Sequence, residues 1–432
     1  MAKIKVVMLC HFSNALVRKH LKYGPGILES IIRRILHKAL LQADFAQWNT
    51  NAIKEMEKYT DDVELHVISP GYYMCDRESV FVENKVHYYF FKDEHTFLFS
   101  RIKNKICGQF KDDYSKNRSY ISKKIAEIKP DIIHVIGAEN PNYSIAALDI
   151  PKEIPHIVQL QTLMLDPDFK KAYPIDNESY EYRANLERRI IENADFVGTV
   201  AVKFRKILNA GVPLKFPILG TNLALTEPID FSYEKKKFDF VYFSANINKA
   251  VDYAIESFAI THKTCPTATL DIVGDYTIDY KKKLDERIAE LGIQDFVTFE
   301  GKQATHDDVI RQIKKSRFAL LPLKIDLISG TVRESMANGL PVVTTITPDT
   351  PKLNEKRESV LLSPIGDHQA MAENMLKLLN DEKYAETIRK NAGITASERV
   401  NNEQIIRKWI DAYHACIENF KNGTPIPENL LQ

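Results

Sequence analysis

Ser329-Gly330-Thr331-Val332-Arg333-Glu334-Ser335-Met336-Ala337-Asn338-Gly339-Leu340-Pro341-Val342-Val343 is the stretch on which the reading of this chain turns. It follows an apolar run, Phe318 to Leu323, with the character of a buried strand, and it leads into a second, Val342 to Thr345. Between them lie a glycine turn, a two-turn helix carrying a carboxylate, and a Gly-Leu-Pro exit. Open α/β sheets build ligand sites in this way, at the carboxyl ends of their strands. The amides that start a helix have no partner inside it. Gly330, Thr331 and Val332 can therefore hold a diphosphate while Glu334 reaches a sugar hydroxyl. An ordinary strand, short helix and strand with a surface glutamate would show the same hydrophobic pattern, so context has to decide.

Strand-like and helix-like segments alternate on both sides of this stretch. In the first half, Lys5–Leu9, Val63–Ser69, Ile132–Ile136, Ile154–Leu160 and Phe196–Thr199 are predicted strands. Predicted helices cover Ile27–Leu41, Ser119–Ile128, which stops before Pro130, Tyr143–Leu148 and Asn177–Asn193. A short strand near Val86–Phe91 is either an insertion or a further sheet member. Pro213, Pro217, Gly220 and Pro228 break the pattern, and the charged run Tyr233–Lys237 marks a domain boundary. The alternation then restarts with predicted strands at Phe238–Phe243, Thr269–Val273, Phe296–Phe299, Phe318–Leu323, Val342–Thr345 and Ser359–Leu362. Two α/β domains with doubly wound parallel sheets follow, residues 1–225 and 226–400, with a ligand expected in the cleft between them. A helix at 401–420 puts Ile406, Trp409, Ile410, Tyr413 and Ile417 on one face and has no further core of its own to join. It is expected to cross back and pack over both domains. Residues 421–432 are polar and are expected to form a flexible tail.

Composition narrows the class. The 432 residues are 44% hydrophobic and 27% charged, which suits a globular protein too long for one core. Fifty-nine basic side chains against 58 acidic ones give a net charge of +1, so overall charge offers no argument for nucleic acid as a partner. Five scattered cysteines have no metal-knuckle or redox spacing and suit a reducing compartment. Histidines are dispersed and Asp166-Pro167-Asp168 reads as a polar loop, so no metal is expected. The N-terminus turns polar too soon for a secretory signal, and no run of about 18 apolar residues exists to span a membrane. A cytoplasmic location is expected. Peripheral docking at the inner membrane face stays open through Ile27–Leu41, where Arg33, Arg34, His37 and Lys38 accompany the apolar positions. Oligomeric state is not legible.

From Phe238 to Leu362 the motifs resemble retaining nucleotide-sugar glycosyltransferases of the two-Rossmann-domain (GT-B) type, glycosyltransferase family 4 or group 1. The likeness rests on Leu270-Asp271-Ile272-Val273-Gly274, on Val297-Thr298-Phe299-Glu300-Gly301-Lys302, and on the string from Ala319 to Val343. The family's landmark is an acidic pair separated by seven residues, which falls here on Asp326 and Glu334. The resemblance implies that Glu334 binds the ribose hydroxyls and that Asp326 faces the donor sugar near its anomeric carbon. It also implies that the amides from Gly330 to Val332 hold the distal phosphate, with Lys249 as the phosphate-binding lysine. The family usually shows an arginine five residues before that lysine and a glycine after it. Here those positions are Ser244 and Ala250.

In the first domain, Gly24 and Gly26 occupy the loop where the family places a glycine-rich turn against the diphosphate or acceptor. His134, Glu139 and Asn140 follow or end a buried strand, and Gln161 stands where the family commonly has a cleft histidine. These four are candidates for contacting acceptor or sugar. Glutamine cannot carry a proton near neutrality. Its presence fits a front-face transfer in which the leaving phosphate oxygen takes the acceptor's proton. The expected activity is transfer of a sugar, with retention, from a UDP- or GDP-sugar to a glycan, glycolipid or small glycoside. No other cofactor is implied. The alternative is a non-catalytic sugar-nucleotide-binding or scaffold protein of the same fold.

Overall fold

The computed structural model describes residues 3–24, 43–94, 113–172, 176–225, 236–244, 250–274, 276–324, 329–399 and 401–431. The chain divides into two compact units. The first takes Met1–Lys171, Ile175–Ala224 and Asn402–Gln432, and the second takes Leu225–Asn401 with Ala172–Pro174.

The first unit is built on strands β1 (Ile4–Leu9), β2 (Val63–Gly71), β3 (Glu78–Glu83), β4 (Val86–Lys92), β5 (Ile132–Ile136), β6 (His156–Gln159) and β7 (Phe196–Gly198). They form one sheet in the order β3-β4-β2-β1-β5-β6-β7, parallel except where β3 runs against β4. Strands β1, β5 and β6 are buried almost throughout, which is why they are continuous apolar runs rather than alternations. Strand β3 alternates, with Val80 and Val82 exposed at the sheet edge. Its Glu-Ser-Val-Phe-Val-Glu pattern is short and charged at both ends, and it is absent from the sequence expectation. So are the helices Gln47–Met56 and Val202–Gly211. The predicted helix at Ile27–Leu41 lies outside the described residues.

One face of this sheet carries Val6 and Met8 of β1, Leu65 and Val67 of β2, and Tyr88 and Phe90 of β4. They share a core with Ile406, Trp409, Ile410 and Tyr413 of the helix Asn402–Asn422. That helix therefore completes the first unit's core. Trp409 donates its indole N–H to the Asn222 carbonyl at 2.8 Å, so its polar atom is satisfied although the ring is buried. The expected flexible tail is instead pinned. Ile426 and Leu430 are buried, the Gly220 amide donates to the Leu430 carbonyl at 2.7 Å, and Arg205 donates to the Leu431 carbonyl at 2.9 Å. Two apolar side chains in a mostly polar segment are enough to hold it.

The second unit has strands β8 (Phe238–Phe243), β9 (Leu270–Val273), β10 (Val297–Gly301), β11 (Ser316–Leu321), β12 (Val342–Thr345) and β13 (Leu361–Ser363). They are all parallel, in the order β10-β9-β8-β11-β12-β13. The string Leu270–Gly274 has a steric reason for its glycine. A Cβ on Gly274 would stand 2.4 Å from the Ser244 carbonyl oxygen, where β8 and β9 leave the sheet side by side.

Trp409→Ala should destabilise the first unit by about 3–5 kcal/mol, since it empties a large buried ring and leaves a carbonyl unpaired. Urea unfolding followed by circular dichroism measures this, and a loss below 1 kcal/mol would contradict the packing described.

Candidate functional site

In the second unit, the helix Gly330–Ala337 begins where the chain returns after β11. Thr345 stitches the exit of that strand, because its hydroxyl accepts from the Leu323 amide at 2.9 Å and donates to the Leu323 carbonyl at 2.8 Å. The first backbone hydrogen bond of the helix is Arg333 N–H to the Ser329 carbonyl at 3.2 Å. The Gly330, Thr331 and Val332 amides thus precede the ladder, as any helix start requires. Gly330 is exposed, and among the described residues a Cβ added to it would meet nothing within 4 Å. The helix ends at Gly339, whose φ of +73° suits a residue without a side chain, with the Leu340 amide folding back to the Ser335 carbonyl at 3.0 Å. Pro341 then directs the chain into β12.

Glu334 sits one turn into this helix, with its side chain 14% exposed. Its Oε1 lies 3.5 Å from Nε2 of His306, the first residue of the helix His306–Ile313 that follows β10. The acid is thus half-sheltered beside a helix start. Asp326 and Lys249 lie outside the described residues. Nearby, Lys324 pairs with Asp252 at 2.7 Å and stands 4.6 Å over the Tyr253 ring. The backbone carbonyl of Ser244 accepts from the Tyr276 hydroxyl at 2.9 Å. Ala250, where the family expects glycine, holds a φ of +57°.

In the first unit, polar side chains gather where parallel strands end. Gly137 leaves β5 with a φ of +88°, and a Cβ there would meet Gln161 Nε2 at 2.5 Å, Glu139 Oε2 at 2.8 Å and the Tyr143 hydroxyl at 2.8 Å. The absence of a side chain at Gly137 is what lets these three groups converge. Gln161 donates to the Ile136 carbonyl at 2.7 Å, and Asn140 donates to Glu139 Oε1 at 2.9 Å. Among the described residues, Glu139 Oε2 has no hydrogen-bond partner. Burial pushes the Glu139 carboxyl up to about 7, opposed by backbone amides and the Arg183 charge. Glu187 is fully buried. Its Oε2 accepts from the Leu165 amide at 3.1 Å, and burial, reinforced by the Glu139 charge, raises it to about 8.

A second polar chain, absent from the sequence reading, runs along the same edge. Asn142 donates to the Tyr72 hydroxyl at 3.1 Å and to Asp93 at 3.2 Å, and Asn117 donates to Asp93 at 3.0 Å. The Tyr72 hydroxyl lies 3.3 Å from His11 Nδ1. Enclosure of the His11 ring lowers it to about 4, so the imidazole is neutral at physiological pH. His11 and Asp93 are polar residues just beyond the ends of β1 and β4, and that position was the legible signal.

Two sequence candidates turn elsewhere. His134 faces the opposite way: its Nδ1 lies 2.7 Å from the Tyr413 hydroxyl, its ring meets Trp409 edge-on, and burial lowers it to about 3. Alternation along β5 gives it the same face as Ile136, toward the core. Gly24 spends its amide on the Tyr73 carbonyl at 3.1 Å, so that N–H is not available to a diphosphate. Gly26 lies outside the described residues.

Residues 237–381 match the family model described as glycosyl transferases group 1. That segment, within the second unit, is thus related to that group. It is 26% identical over 136 residues to N-acetyl-alpha-D-glucosaminyl L-malate synthase of Bacillus anthracis. That match covers 32% of this chain and about a third of the relative's length, 35%. Among solved structures it resembles sucrose-phosphate synthase from Thermosynechococcus elongatus (TM-score 0.67, 15% identity, covering 95% of this chain and 98% of that one). It also resembles Anabaena Alr3699/HepE in complex with UDP and glucose (TM-score 0.60, 17% identity, covering 95% and 100%). These likenesses cover both units and establish the fold.

Two substitutions test the first-unit geometry. Gly137→Ala should cost at least about 1–3 kcal/mol, from the left-handed backbone and three sub-contact distances; a neutral result in thermal unfolding would contradict it. Glu187 has a folded pKa above its unfolded one, so its contribution to stability is full below about pH 4.5 and is lost as pH rises toward about 8. Relative to wild type, Glu187→Gln should therefore gain Tm from pH 5 to pH 9. An unchanged difference would show that this carboxyl does not titrate as described.

Proposed function

We propose that this protein is a retaining glycosyltransferase that moves one sugar from a nucleotide-sugar donor to a hydroxyl-bearing acceptor. The observation that carries the reading is the start of the helix Gly330–Ala337: an exposed Gly330, pre-ladder amides through Val332, and Glu334 half-sheltered one turn further on. A nucleoside diphosphate leaving group gathers negative charge on its outer phosphate as positive charge grows on the sugar. Oriented amides and a lysine stabilise the former without reorganising. In this reading the Gly330, Thr331 and Val332 amides and Lys249 hold that phosphate. Glu334 binds the ribose, and Asp326 faces the anomeric carbon. Gln161, Glu139 and Asn140 contact the acceptor or the transferred sugar. The departing phosphate oxygen takes the acceptor's proton, so no separate base is needed.

The family match over residues 237–381 and the GT-B likeness support this assignment. A UDP-sugar is the donor to try first, since the Anabaena protein is described with UDP and glucose. The acceptor is a glycan, a glycolipid or a small glycoside. Among the described residues no helix is long and apolar enough to cross a membrane. Action in the cytoplasm, with peripheral contact at the inner membrane face, fits this reading.

The non-catalytic reading has its own support. Gln161 is engaged with a backbone carbonyl, and Ser244 replaces the usual arginine. A panel of UDP- and GDP-sugars in thermal shift, followed by product analysis with candidate acceptors, separates the two. Glu334→Ala should weaken donor binding by about 1.5–3 kcal/mol, the range for hydrogen bonds to a charged group, and product NMR should show retention. Donor binding without transfer or hydrolysis would favour the scaffold. No binding of any nucleotide sugar would overturn both.

A further inference from the structure

Three potential metal ligands lie far from the carboxyl edge of the first-unit sheet. Glu64 and His66 are two residues apart near the start of β2, so both side chains emerge on one face. His87, near the start of β4, pairs in register with His66 and shares that face. Strand pairing thus brings together histidines that the sequence shows as dispersed. Oε1 of Glu64 is 2.8 Å from Nε2 of His66, and one ligand atom from each of the three residues lies within 4.8 Å of the others. Among the described residues this is the only such group of histidine, cysteine and carboxylate donors.

We propose that Glu64, His66 and His87 form a binding site for a divalent transition-metal ion of the zinc type. Two imidazoles and one carboxylate are the donors zinc takes, with a fourth position left to water. The fourth position has access to solvent, because the Glu64 side chain is 35% exposed and His87 is half-buried.

The surroundings suit the role. The Tyr89 hydroxyl is 3.2 Å from His66 Nδ1. A hydroxyl can donate or accept, so it serves either tautomer of the ring. Without metal, His66 donates from Nε2 to Glu64 and accepts from Tyr89. With metal, the proton moves to Nδ1 and is donated to Tyr89, leaving Nε2 free to coordinate. Such outer hydrogen bonds orient metal-bound histidines.

Two features resist binding. The His66 and His87 rings are stacked, 4.6 Å apart and 15° from parallel, so His87 must rotate for both nitrogens to reach one ion. Its partial exposure allows that. Lys5 Nζ lies 3.8 Å from Glu64 Oε1, but it also donates to the Ile128 carbonyl at 3.2 Å, at the end of the helix Ser115–Ile128. That carbonyl holds the ammonium to one side. The site lies at the amino end of the strands, so its metal would brace the sheet rather than take part in sugar transfer.

Isothermal titration of the untagged full chain with zinc chloride, with cobalt(II) absorption as a second readout, tests this. The expected result is one site of micromolar affinity or tighter, with tetrahedral cobalt bands. His87→Ala and Glu64→Gln alter partly exposed side chains and should leave the metal-free fold intact by circular dichroism. Each should weaken zinc binding by about a hundredfold or more, at or beyond the upper end of what changes outside the coordination sphere produce. Absence of a site tighter than millimolar, or His87→Ala binding zinc as wild type does, overturns the proposal.

Discussion

A parallel sheet sends the chain out at one edge and brings it back at the other, and that constraint organises both units. Every strand except β3 runs in the common direction of its sheet. Exits therefore collect along one rim and entries along the opposite rim. The two rims use polar residues differently. At the entry rim of the first unit, carboxylates tie backbone: Asp131 accepts from the Lys5 amide at 2.8 Å, and Asp195 accepts from the His156 amide at 3.2 Å. In the second unit Asp239 does the same for the Thr269 amide at 3.1 Å. These acids complete the sheet's own hydrogen bonding. At the exit rim, among the described residues, Glu139 keeps a carboxyl oxygen without a partner and Gly330 has no neighbour within 4 Å of where its Cβ would stand. Polar capacity left over at that rim is what a ligand can use.

Retaining that capacity has an energetic cost. Burying Glu139 and Glu187 in the same region raises both carboxyls, and the Glu139 charge raises that of Glu187 further. Arg183 lies near enough to oppose both shifts and donates its Nε–H to the Glu139 carbonyl at 2.8 Å. The result is a region poised near neutrality and less stable than an apolar packing would be. Buried polar groups left incompletely paired cost roughly 1–3 kcal/mol each. A core with no other role would not keep them.

Much of the fold was legible because buried parallel strands are apolar throughout and bounded by turns. β5, β8 and β12 have the ends expected from composition alone. β3 was not legible, because an edge strand with Glu78 and Glu83 at its ends resembles a polar loop. The C-terminal helix was visible as an amphipathic segment, but its partner was not, since that core is made by strands hundreds of residues earlier. The same long-range pairing hid His66 beside His87, and Glu187 beneath the loop after β6. The Ser329–Val343 stretch was the most legible part of the site, because its turn, helix and exit are all local. Gly24 shows the converse: a glycine advertises backbone freedom, but not whether its N–H is already engaged.

Ala250, just before the helix Val251–Thr264, shows how a departure from a family pattern can leave the backbone requirement in place. Ala250 occupies the position where relatives of this type have glycine, and it still takes the left-handed conformation, with φ of +57° and ψ of 49°. An L-residue there costs about 1–2 kcal/mol. Its methyl group is fully buried, which offsets part of that strain. Just after β8, the Tyr276 hydroxyl holds the Ser244 carbonyl, and Gly274 leaves room for it. Serine cannot supply the charge of the usual arginine, yet the strand exit remains braced by its neighbours. Strain that persists because surrounding structure imposes it is characteristic of binding turns. Under the proposed donor-binding role, Ser244 brings no charge to the phosphate, and Lys249 with the amides at Gly330–Val332 would have a larger share of the donor's negative charge to balance.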